Sequence, residues 1–190
     1  MRVAITGGIA DGKTTVCALL AEQGLVTVSA DEIVAKLYRN PTIVKRIRAS
    51  FGDGLMVDGG VSRELLQAIV SDSAEARAKL NAIFHPAVMR EILLQTDTDD
   101  IAFAEVPLLI ETATQGWFDE VWVVTAGAGE QRKRLVKRLG SESEADRLLT
   151  TQLPTEAKIP FADRVIRTNV PVETVKSTIA RHVKELLGQR

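Results

Sequence analysis

The sequence has few of the residues from which proteins build disulfides, zinc sites and base-stacking surfaces. It holds one cysteine, Cys17, so no internal disulfide can form, and a lone thiol fits a reducing compartment. Its two histidines, His85 and His182, offer no metal-ligand spacing, and only 4% of the residues are aromatic. We therefore expect no zinc or haem site and no nucleic-acid partner.

The chain also lacks an excess of either charge and any long apolar run. Its formal net charge is −1 with both signs interspersed, which argues against a general nucleic-acid binder. No run is long enough to span a bilayer, and the N-terminus passes from a short strand pattern into glycines instead of a signal-peptide core. We expect a cytoplasmic protein with no membrane partner, either a monomer or a small homo-oligomer. Its 190 residues suit one moderate-sized domain.

A glycine-rich loop follows the first apolar run. After RVAIT the sequence reads GGIADGKTT, in which Gly7, Gly12, Lys13 and Thr14 complete the pattern G-x-x-x-x-G-K-[ST]. Glycines let backbone N–H groups close around phosphate oxygens, lysine bridges the β- and γ-phosphates, and the threonine hydroxyl holds Mg²⁺. Residues 7–14, called the phosphate loop below, therefore predict a site for a nucleoside triphosphate with Mg²⁺.

The segments on either side of the loop have the order that such a site needs. Residues 2–6 have strand propensity, and residues 14–23 carry Val16, Leu19 and Leu20 at helical spacing before Gly24. The positive end of that helix would face the anion. The alternative is a glycine turn that binds nothing, but the lysine, the threonine and the strand–loop–helix order favour the nucleotide.

Apolar runs typical of strands alternate with helical patterns along the chain. They lie at residues 2–6, 25–29, 101–106, 121–125 and 164–166. This alternation predicts an α/β protein in which a parallel sheet carries helices on both faces. Because ligands collect at the carboxyl ends of such strands, polar residues that follow each run are candidates for the site. The most turn-rich stretch is residues 53–60, and we expect no domain linker.

Two acidic residues follow strands of this predicted sheet. Asp31 comes just after the second strand, where a carboxylate can orient an attacking hydroxyl and accept its proton. The equally weighted alternative is that Asp31 caps a helix over residues 32–38. Glu105 ends the third strand, shortly before Pro107, and is a candidate to hold a water on Mg²⁺. A strand-end glutamate in solvent is the alternative.

A basic helix is predicted around residues 131–138, QRKRLVKR. Arg134 and Arg138 share one face of it at i,i+4 spacing. With a second helix in residues 141–152 it would form a lid over a triphosphate, whereas a solvated basic face is the alternative.

A helix start is predicted in the middle of the chain. In LNAIFHPAV, His85 stands directly before Pro86, and proline is typical of the first position of a helix.

In this order, the segments resemble the dephospho-coenzyme A kinase family. The resemblance runs along nearly the whole chain and is carried by TGGIADGKTT, SADEIVAKLY, LNAIFHPAV, EVPLLIE, EQRKRLVKR and TTQLPTEAKIPFADRVI. It implies a P-loop fold of the nucleoside-monophosphate-kinase type, with a five-stranded parallel sheet flanked by helices. It also implies a single domain over residues 1–190, with a lid at 127–158 and a helical acceptor-binding insertion at 32–95.

The resemblance also implies an activity and a set of site residues. The activity is ATP- and Mg²⁺-dependent phosphorylation of the ribose 3′-hydroxyl of dephospho-coenzyme A, the last step of coenzyme A synthesis. The implied catalytic residues are Lys13, Asp31 and Arg138, and the implied Mg²⁺ residues are Thr14 and Glu105. Implied nucleotide contacts are Gly8, Ala10, Asp11, Gly12, Lys13, Thr14, Thr15 and Arg134. Implied contacts near the acceptor or nucleotide are Arg63, His85 and Lys158.

The chain departs from the family pattern at several positions. The family loop typically reads G-G-I-G-S-G-K-S, whereas Ala10 replaces a glycine here. Asp11 brings a carboxylate near the triphosphate, which we expect to weaken nucleotide binding unless the side chain points to solvent. Contacts to the acceptor and to adenine are expected to differ at the other departures, which are Ser29 in the Asp-Ala-Asp pattern, Ala35 in place of an arginine, and Arg167, Thr168, Asn169 and Val170 in place of Asp-Asn-x-Gly.

The phosphate-loop pattern is also compatible with three other functions. A guanine-nucleotide switch is disfavoured because the chain has no Asn-Lys-x-Asp segment. A degenerate nucleotide-binding protein without turnover would release no ADP in a coupled assay. Another small-metabolite kinase of the same fold would prefer a different acceptor, because this fold serves many acceptors.

Overall fold

The computed structural model describes residues 1–57, 60–98 and 100–188. Its strands are β1 (Arg2–Thr6), β2 (Val26–Ser29), β3 (Met56–Val57), β4 (Gly60–Val61), β5 (Ala102–Glu105), β6 (Glu120–Thr125) and β7 (Arg164–Arg167). Its α-helices are α1 (Lys13–Ala21), α2 (Ala30–Leu37), α3 (Pro41–Phe51), α4 (Arg63–Asp72), α5 (Ala74–Gln95), α6 (Ala128–Leu139), α7 (Glu142–Leu149), α8 (Thr155–Lys158) and α9 (Val172–Gly188). Short 3₁₀ turns lie at Asp53–Leu55, Gln115–Trp117 and Ile159–Phe161.

Five strands form one sheet in the order β2–β5–β1–β6–β7. β1 pairs in parallel with both β5 and β6, and β6 pairs in parallel with β7. The predicted five-stranded sheet is confirmed, and each strand lies within one residue of its predicted bounds. Since β1 is the central strand, the phosphate loop leaves a strand that is held on both sides.

The core on one side of this sheet lies between β1, β5, β6, α1 and α9. Phe103 and Trp122 are fully buried, and their rings meet edge to face with centroids 5.1 Å apart. Leu20 of α1 and Ile179 of α9 belong to the same buried cluster. Burial of this apolar stripe holds α1 against the sheet, so the start of α1 is fixed beside the loop.

The chain divides into two compact units, Met1–Val28 with Thr96–Arg190, and Ser29–Gln95. The first holds most of the sheet with α1 and α6 to α9, and the second holds α2 to α5 and an antiparallel hairpin of β3 and β4. The hairpin lies in the stretch predicted to be rich in turns, and its two-residue strands are too short to show an alternating pattern.

Three predictions about domain organisation stay predictions: the single domain, the acceptor-binding role of residues 32–95 and the lid at 127–158. None of the helices in the described residues has the length and apolar character needed to cross a bilayer.

The predicted helix start at Pro86 is wrong, because α5 runs through that proline. Proline has no N–H to donate to the carbonyl four residues earlier, which normally breaks a helix. Here Arg46 of α3 donates to the carbonyl oxygens of Ala82 at 3.2 Å and Ile83 at 3.4 Å. The carbonyl that Pro86 leaves without its helical partner is thus satisfied by a side chain, and the helix continues.

Candidate active site

Two glycines give the phosphate loop its shape. Gly7 has φ 150°, and a Cβ there would lie 2.3 Å from the carbonyl oxygen of Val124 in β6. Gly12 has φ 91° and is the N-cap of α1, and it has no side chain that could accept a hydrogen bond from the first turn of the helix. The first N–H groups of α1 therefore have no capping side chain, an arrangement that suits an anionic ligand.

Ala10 holds the left-handed conformation that the family pattern assigns to glycine. Its φ is 62°, a region that costs an L-residue about 1–2 kcal/mol. The loop thus has strain where its backbone must turn, as functional loops often do.

We expect Ala10→Gly to stabilise the protein slightly, by up to about 1 kcal/mol, because relief of the φ strain exceeds the entropy that glycine adds to the unfolded chain. Urea denaturation measures the change. Ala18→Gly in the exposed middle of α1 is the matched control and should destabilise by about 1 kcal/mol. A loss of stability in Ala10→Gly would contradict the strain argument.

Lys13 begins α1 with its ammonium turned back into the loop. The residue is 8% exposed, and Nζ donates to the carbonyl oxygens of Gly8 at 2.8 Å and Gly7 at 3.3 Å. Thr14 and Thr15, the next two residues, are exposed. The loop therefore presents one positive charge and two accessible hydroxyls at the positive end of a helix.

Asp11 has an orientation that the sequence did not predict. Its carboxylate is 1% exposed and points neither to solvent nor out of the loop. Oδ2 accepts from the N–H of Gly8 at 2.7 Å and from the Thr155 hydroxyl, and Oδ1 accepts from the N–H of Ala126 at 2.9 Å. These protein donors stabilise the buried carboxylate, and the effect of Asp11 on nucleotide binding stays a prediction. A contact between Asp11 and nucleotide stays a prediction.

Sequence reasoning missed the residues that surround Asp11. The amide of Gln131 in α6 donates to the Ile9 carbonyl at 2.9 Å and to Asp11 Oδ2 at 3.5 Å. Thr155 Oγ1 accepts from Gly8 N–H at 3.1 Å. A Cβ on Gly8 would lie 2.2 Å from Gln131 Nε2 and 2.6 Å from Thr155 Oγ1. The second glycine of GGIADGKTT was the only sequence signal of this close packing.

Thr168 connects the loop to the basic helix. Its hydroxyl donates to the Asp11 carbonyl at 2.7 Å, and Arg134 donates to its carbonyl at 2.7 Å and its hydroxyl at 3.1 Å. Arg134 also bonds Glu130 one turn earlier at 3.1 Å. Arg134 is therefore held by protein acceptors beside the loop, at one of the departures from the family pattern. Its contact with nucleotide stays a prediction.

The helical pair in the predicted lid is present as α6 and α7. Arg132 joins the two helices by bonding Asp146 at 2.7 Å and Glu142 at 3.0 Å. Hydrogen bonds to the two carboxylates raise the pKa of Arg132, and the hydrogen bond from Arg132 lowers the pKa of Asp146. Arg138, by contrast, is exposed on α6, and we find no ion pair for it within residues 1–57, 60–98 and 100–188. Its guanidinium is available to a ligand.

Glu105 lies beside the thiol of Cys17 in α1. Burial, followed by the nearby Glu105 carboxylate and its hydrogen bond, raises the pKa of Cys17 from 9.0 to about 12, and Lys13 opposes this shift. Because thiolate is the reactive form, Cys17 is not a nucleophile at neutral pH. The solvated alternative for Glu105 is wrong, since the residue is only partly exposed and contacts this thiol.

Lys158 lies in the interior of the first unit. It is 0% exposed, and its Nζ bonds Glu111 Oε1 at 2.8 Å and the carbonyl of Pro107 at 2.9 Å. Glu111 also accepts from the N–H of Leu153 at 3.1 Å. The pair thus joins α8 to the segment after β5, and a contact between Lys158 and a substrate stays a prediction.

The start of α2 decides between the two interpretations of Asp31. The N-cap is Ser29, whose hydroxyl accepts from the N–H of Glu32 at 3.3 Å, so the alternative that Asp31 is the cap is wrong. Asp31 is exposed in the first turn of α2, two residues after β2 ends. Its carboxylate is therefore not needed to begin the helix.

Arg63 begins α4 and reaches the C-terminal end of α2. Its guanidinium lies 4.4 Å from the ring centre of Tyr38 and donates to the Ala35 carbonyl at 2.9 Å. A cation therefore lies beside the position where the family has an arginine. His85 is half-buried in α5. Substrate contacts by Arg63 and His85 stay predictions.

Each unit has a cavity of its own. In the first, about 260 Å³ open beside Gly8 and Ile9, between α6 and residues 152–156. In the second, about 520 Å³ are lined by Arg39, Lys45 and Arg48 with Asp53 and apolar side chains. The first cavity adjoins the phosphate loop, and the second has more cations than anions among its charged lining residues.

The fold and the loop define a phosphate-loop kinase. The crystal structure of TT1252 from Thermus thermophilus aligns with a TM-score of 0.83 and 27% identity, over 100% of this chain and 97% of that one. A shikimate kinase from Acinetobacter baumannii shares the fold with a TM-score of 0.57 at 15% identity, over 100% of this chain and 94% of that one.

A family model narrows the class further. The model described as dephospho-CoA kinase matches residues 1–173. A dephospho-CoA kinase from Geobacillus kaustophilus is 36% identical over 194 residues, which cover 97% of this chain and 96% of the relative. The chain belongs to the dephospho-CoA kinase family and is an ATP-using kinase.

Proposed function

We propose that this chain transfers the γ-phosphoryl group of ATP to the ribose 3′-hydroxyl of dephospho-coenzyme A. The observation that supports the donor half is the buried Lys13 ammonium, held inside a glycine loop at the uncapped start of α1. The acceptor half rests on the family match over residues 1–173. The products are coenzyme A and ADP.

On the donor side, Lys13 neutralises charge that grows on the β- and γ-phosphates as the bond to ADP breaks. Its contacts include the neutral carbonyls of Gly7 and Gly8, and charged phosphate oxygens bind an ammonium more strongly than such carbonyls do. Exposed Thr14 and Thr15 and the first N–H groups of α1 add donors to the same anion. These groups bind and orient the phosphates for transfer.

On the acceptor side, Asp31 orients the 3′-hydroxyl and takes its proton as the new P–O bond forms. Its exposure and its freedom from capping support this role, since the carboxylate has no structural task at the start of α2. The proton leaves the hydroxyl oxygen, and the P–O bond to ADP breaks. Atoms and charges therefore balance without a further reactant.

Thr14 and Glu105 fit the role of holding Mg²⁺ by their donor chemistry. A hydroxyl and a carboxylate are the hard oxygen ligands that Mg²⁺ prefers, and Mg²⁺ usually keeps several waters besides. The Cys17 thiol beside Glu105 stays protonated, so it does not compete as a ligand. When bound with the phosphates, Mg²⁺ supplies charge neutralisation.

The unit Ser29–Gln95 is our proposed binding region for the acceptor. Dephospho-coenzyme A carries a diphosphate, and the 520 Å³ cavity of this unit is lined by Arg39, by Lys45 and by Arg48 in its ion pair with Asp53. Cations in a concave site favour such a dianion.

This binding region can be tested by kinetics. Replacing Arg39 and Lys45 together by alanine should raise the KM for the acceptor and leave the KM for ATP unchanged, as measured by steady-state kinetics.

A panel of acceptors tests the proposal. Purified protein is incubated with ATP, Mg²⁺ and one of dephospho-coenzyme A, shikimate, gluconate or a nucleoside monophosphate, and ADP release is coupled to a spectrophotometric readout. We expect turnover with dephospho-coenzyme A and a product phosphorylated at the 3′ position by mass and NMR analysis. Preference for another acceptor would support a different small-metabolite kinase, and absence of turnover with all of them would support a degenerate binding protein.

Arg138 and Arg134 are expected to respond differently to truncation. Arg138→Ala should lower kcat with little change in Tm, because the exposed guanidinium has no protein partner to lose among the described residues. Arg134→Ala should lower Tm, because it removes two hydrogen bonds to Thr168 and an ion pair with Glu130. Thermal melting and steady-state kinetics measure both effects. Unchanged kcat per folded molecule in Arg138→Ala would contradict its role in transfer.

A further inference from the structure

Asp11 and Lys13 contact opposite sides of one peptide group in the phosphate loop. The N–H of Gly8 and the carbonyl of Gly7 belong to one planar trans peptide, so they point in opposite directions. Asp11 Oδ2 holds that N–H at 2.7 Å, and the Gly7 carbonyl on the other side faces Lys13 Nζ at 3.3 Å. Rotation of this peptide would break both contacts together.

The main chain of Asp11 contacts the second oxygen that holds Lys13. Its N–H donates to the Gly8 carbonyl at 3.4 Å, and the same carbonyl accepts from Lys13 Nζ at 2.8 Å. Both carbonyl oxygens that bind the ammonium are thus oriented by peptide groups that Asp11 contacts. A residue with a neutral or shorter side chain has no charged acceptor for the Gly8 N–H.

The Asp11 side chain is itself fixed from three other parts of the first unit. Ala126, directly after β6, donates its N–H at 2.9 Å, Gln131 donates from α6 at 3.5 Å, and Thr155 donates its hydroxyl from α8. A carboxylate with several donors is bound more rigidly than one with a single donor. The orientation of the Gly7–Gly8 peptide is therefore tied to α6 and α8.

We propose that Asp11 is a positioning residue for Lys13: its buried carboxylate orients the Gly7–Gly8 peptide and thereby preorganises the lysine ammonium for the phosphates of ATP. The inference rests on the proposed function only in taking ATP as the donor. It gives a role to a residue at which this loop departs from the family pattern. Asp11 acts through Lys13, so its effect requires the lysine.

A double-mutant cycle tests this dependence. ATP affinity is measured by calorimetry without any acceptor, and kcat/KM for ATP is measured with dephospho-coenzyme A. Asp11→Asn keeps the shape but replaces one acceptor oxygen by a donor, so we expect a loss of about tenfold or more in both quantities. In the Lys13→Ala background the same change should alter ATP affinity by less than about twofold. The affinity arm stands even if dephospho-coenzyme A is not the acceptor.

Asp163→Asn is the matched control, because Asp163 accepts the backbone N–H of Val121 at 2.8 Å, near the end of β6 opposite to Ala126. It should lower stability without changing ATP affinity. If Asp11→Asn does not fold by circular dichroism, Thr155→Val removes one donor to the carboxylate and the second acceptor of the Gly8 N–H, and it should give a smaller loss of affinity that also vanishes without Lys13. An equal loss with and without Lys13, or no loss in either background, would overturn the proposal.

Discussion

Lys13→Ala is expected to lower kcat by about 10²-fold or more while the protein stays folded. The ammonium is the positive charge inside the phosphate loop, and its contacts there include the neutral carbonyl groups of Gly7 and Gly8. Its loss removes stabilisation that grows as charge develops on the transferring group. Steady-state kinetics with saturating ATP and acceptor measure the effect.

Two further variants separate this role from a general effect of charge. Lys184→Ala removes a lysine from the exposed surface of α9 and should leave kcat unchanged. Lys13→Arg keeps the charge but replaces a compact ammonium by a planar fork, so it should not restore activity. Near-normal kcat in Lys13→Ala would show that the loop is not part of the catalytic machinery.

The sheet and the phosphate loop were predictable because their signals are local. β1, the glycines and α1 lie within about twenty consecutive residues, and each has a pattern set by its own backbone needs. The Gly7 position shows why the pattern works, since its positive φ and the Val124 carbonyl 2.3 Å from a hypothetical Cβ both require glycine. Information of this kind is present in a short segment.

The environment of Asp11 was not predictable because its partners are distant in the chain. Ala126 lies 115 positions later, Thr155 lies 144 positions later, and Thr168 lies 157 positions later. No periodicity links such residues, and a threonine or an alanine carries no special signal by itself. The sequence therefore showed an acidic residue in an anion-binding loop without showing the donors that accommodate it.

The cap of α2 was left open between two interpretations, and the helix start at Pro86 was predicted wrongly, both for a different reason. Ser29 and Asp31 are both residue types that favour the N-cap position. Because β2 ends at Ser29, that residue caps α2. Pro86 normally ends a helix, but Arg46, from another helix, supplies the missing hydrogen bond. In both places a tertiary contact or a strand boundary chose between two locally reasonable outcomes.

Asp31→Asn is expected to lower kcat by about 10²- to 10⁴-fold, the usual span for a positioned general base. The amide keeps the shape of the side chain but cannot accept the proton of the 3′-hydroxyl. ATP affinity should change little, because Asp31 is proposed to act on the acceptor. Since Ser29 caps α2, the substitution should cost only about 0.3–1 kcal/mol through the lost charge in the first helical turn. Kinetics and thermal melting measure the two effects separately.

Glu32→Gln provides the matched control for Asp31→Asn. Glu32 is exposed in the same turn of α2, so its neutralisation removes the same charge from the same helix end without touching the proposed base. Its kcat should stay near the wild-type value, whereas that of Asp31→Asn should fall. Because asparagine at this position leaves the cap intact, a drop in kcat cannot be attributed to a frayed helix. A kcat for Asp31→Asn within about threefold of wild type would reject the base, since the smallest expected loss is about 10²-fold.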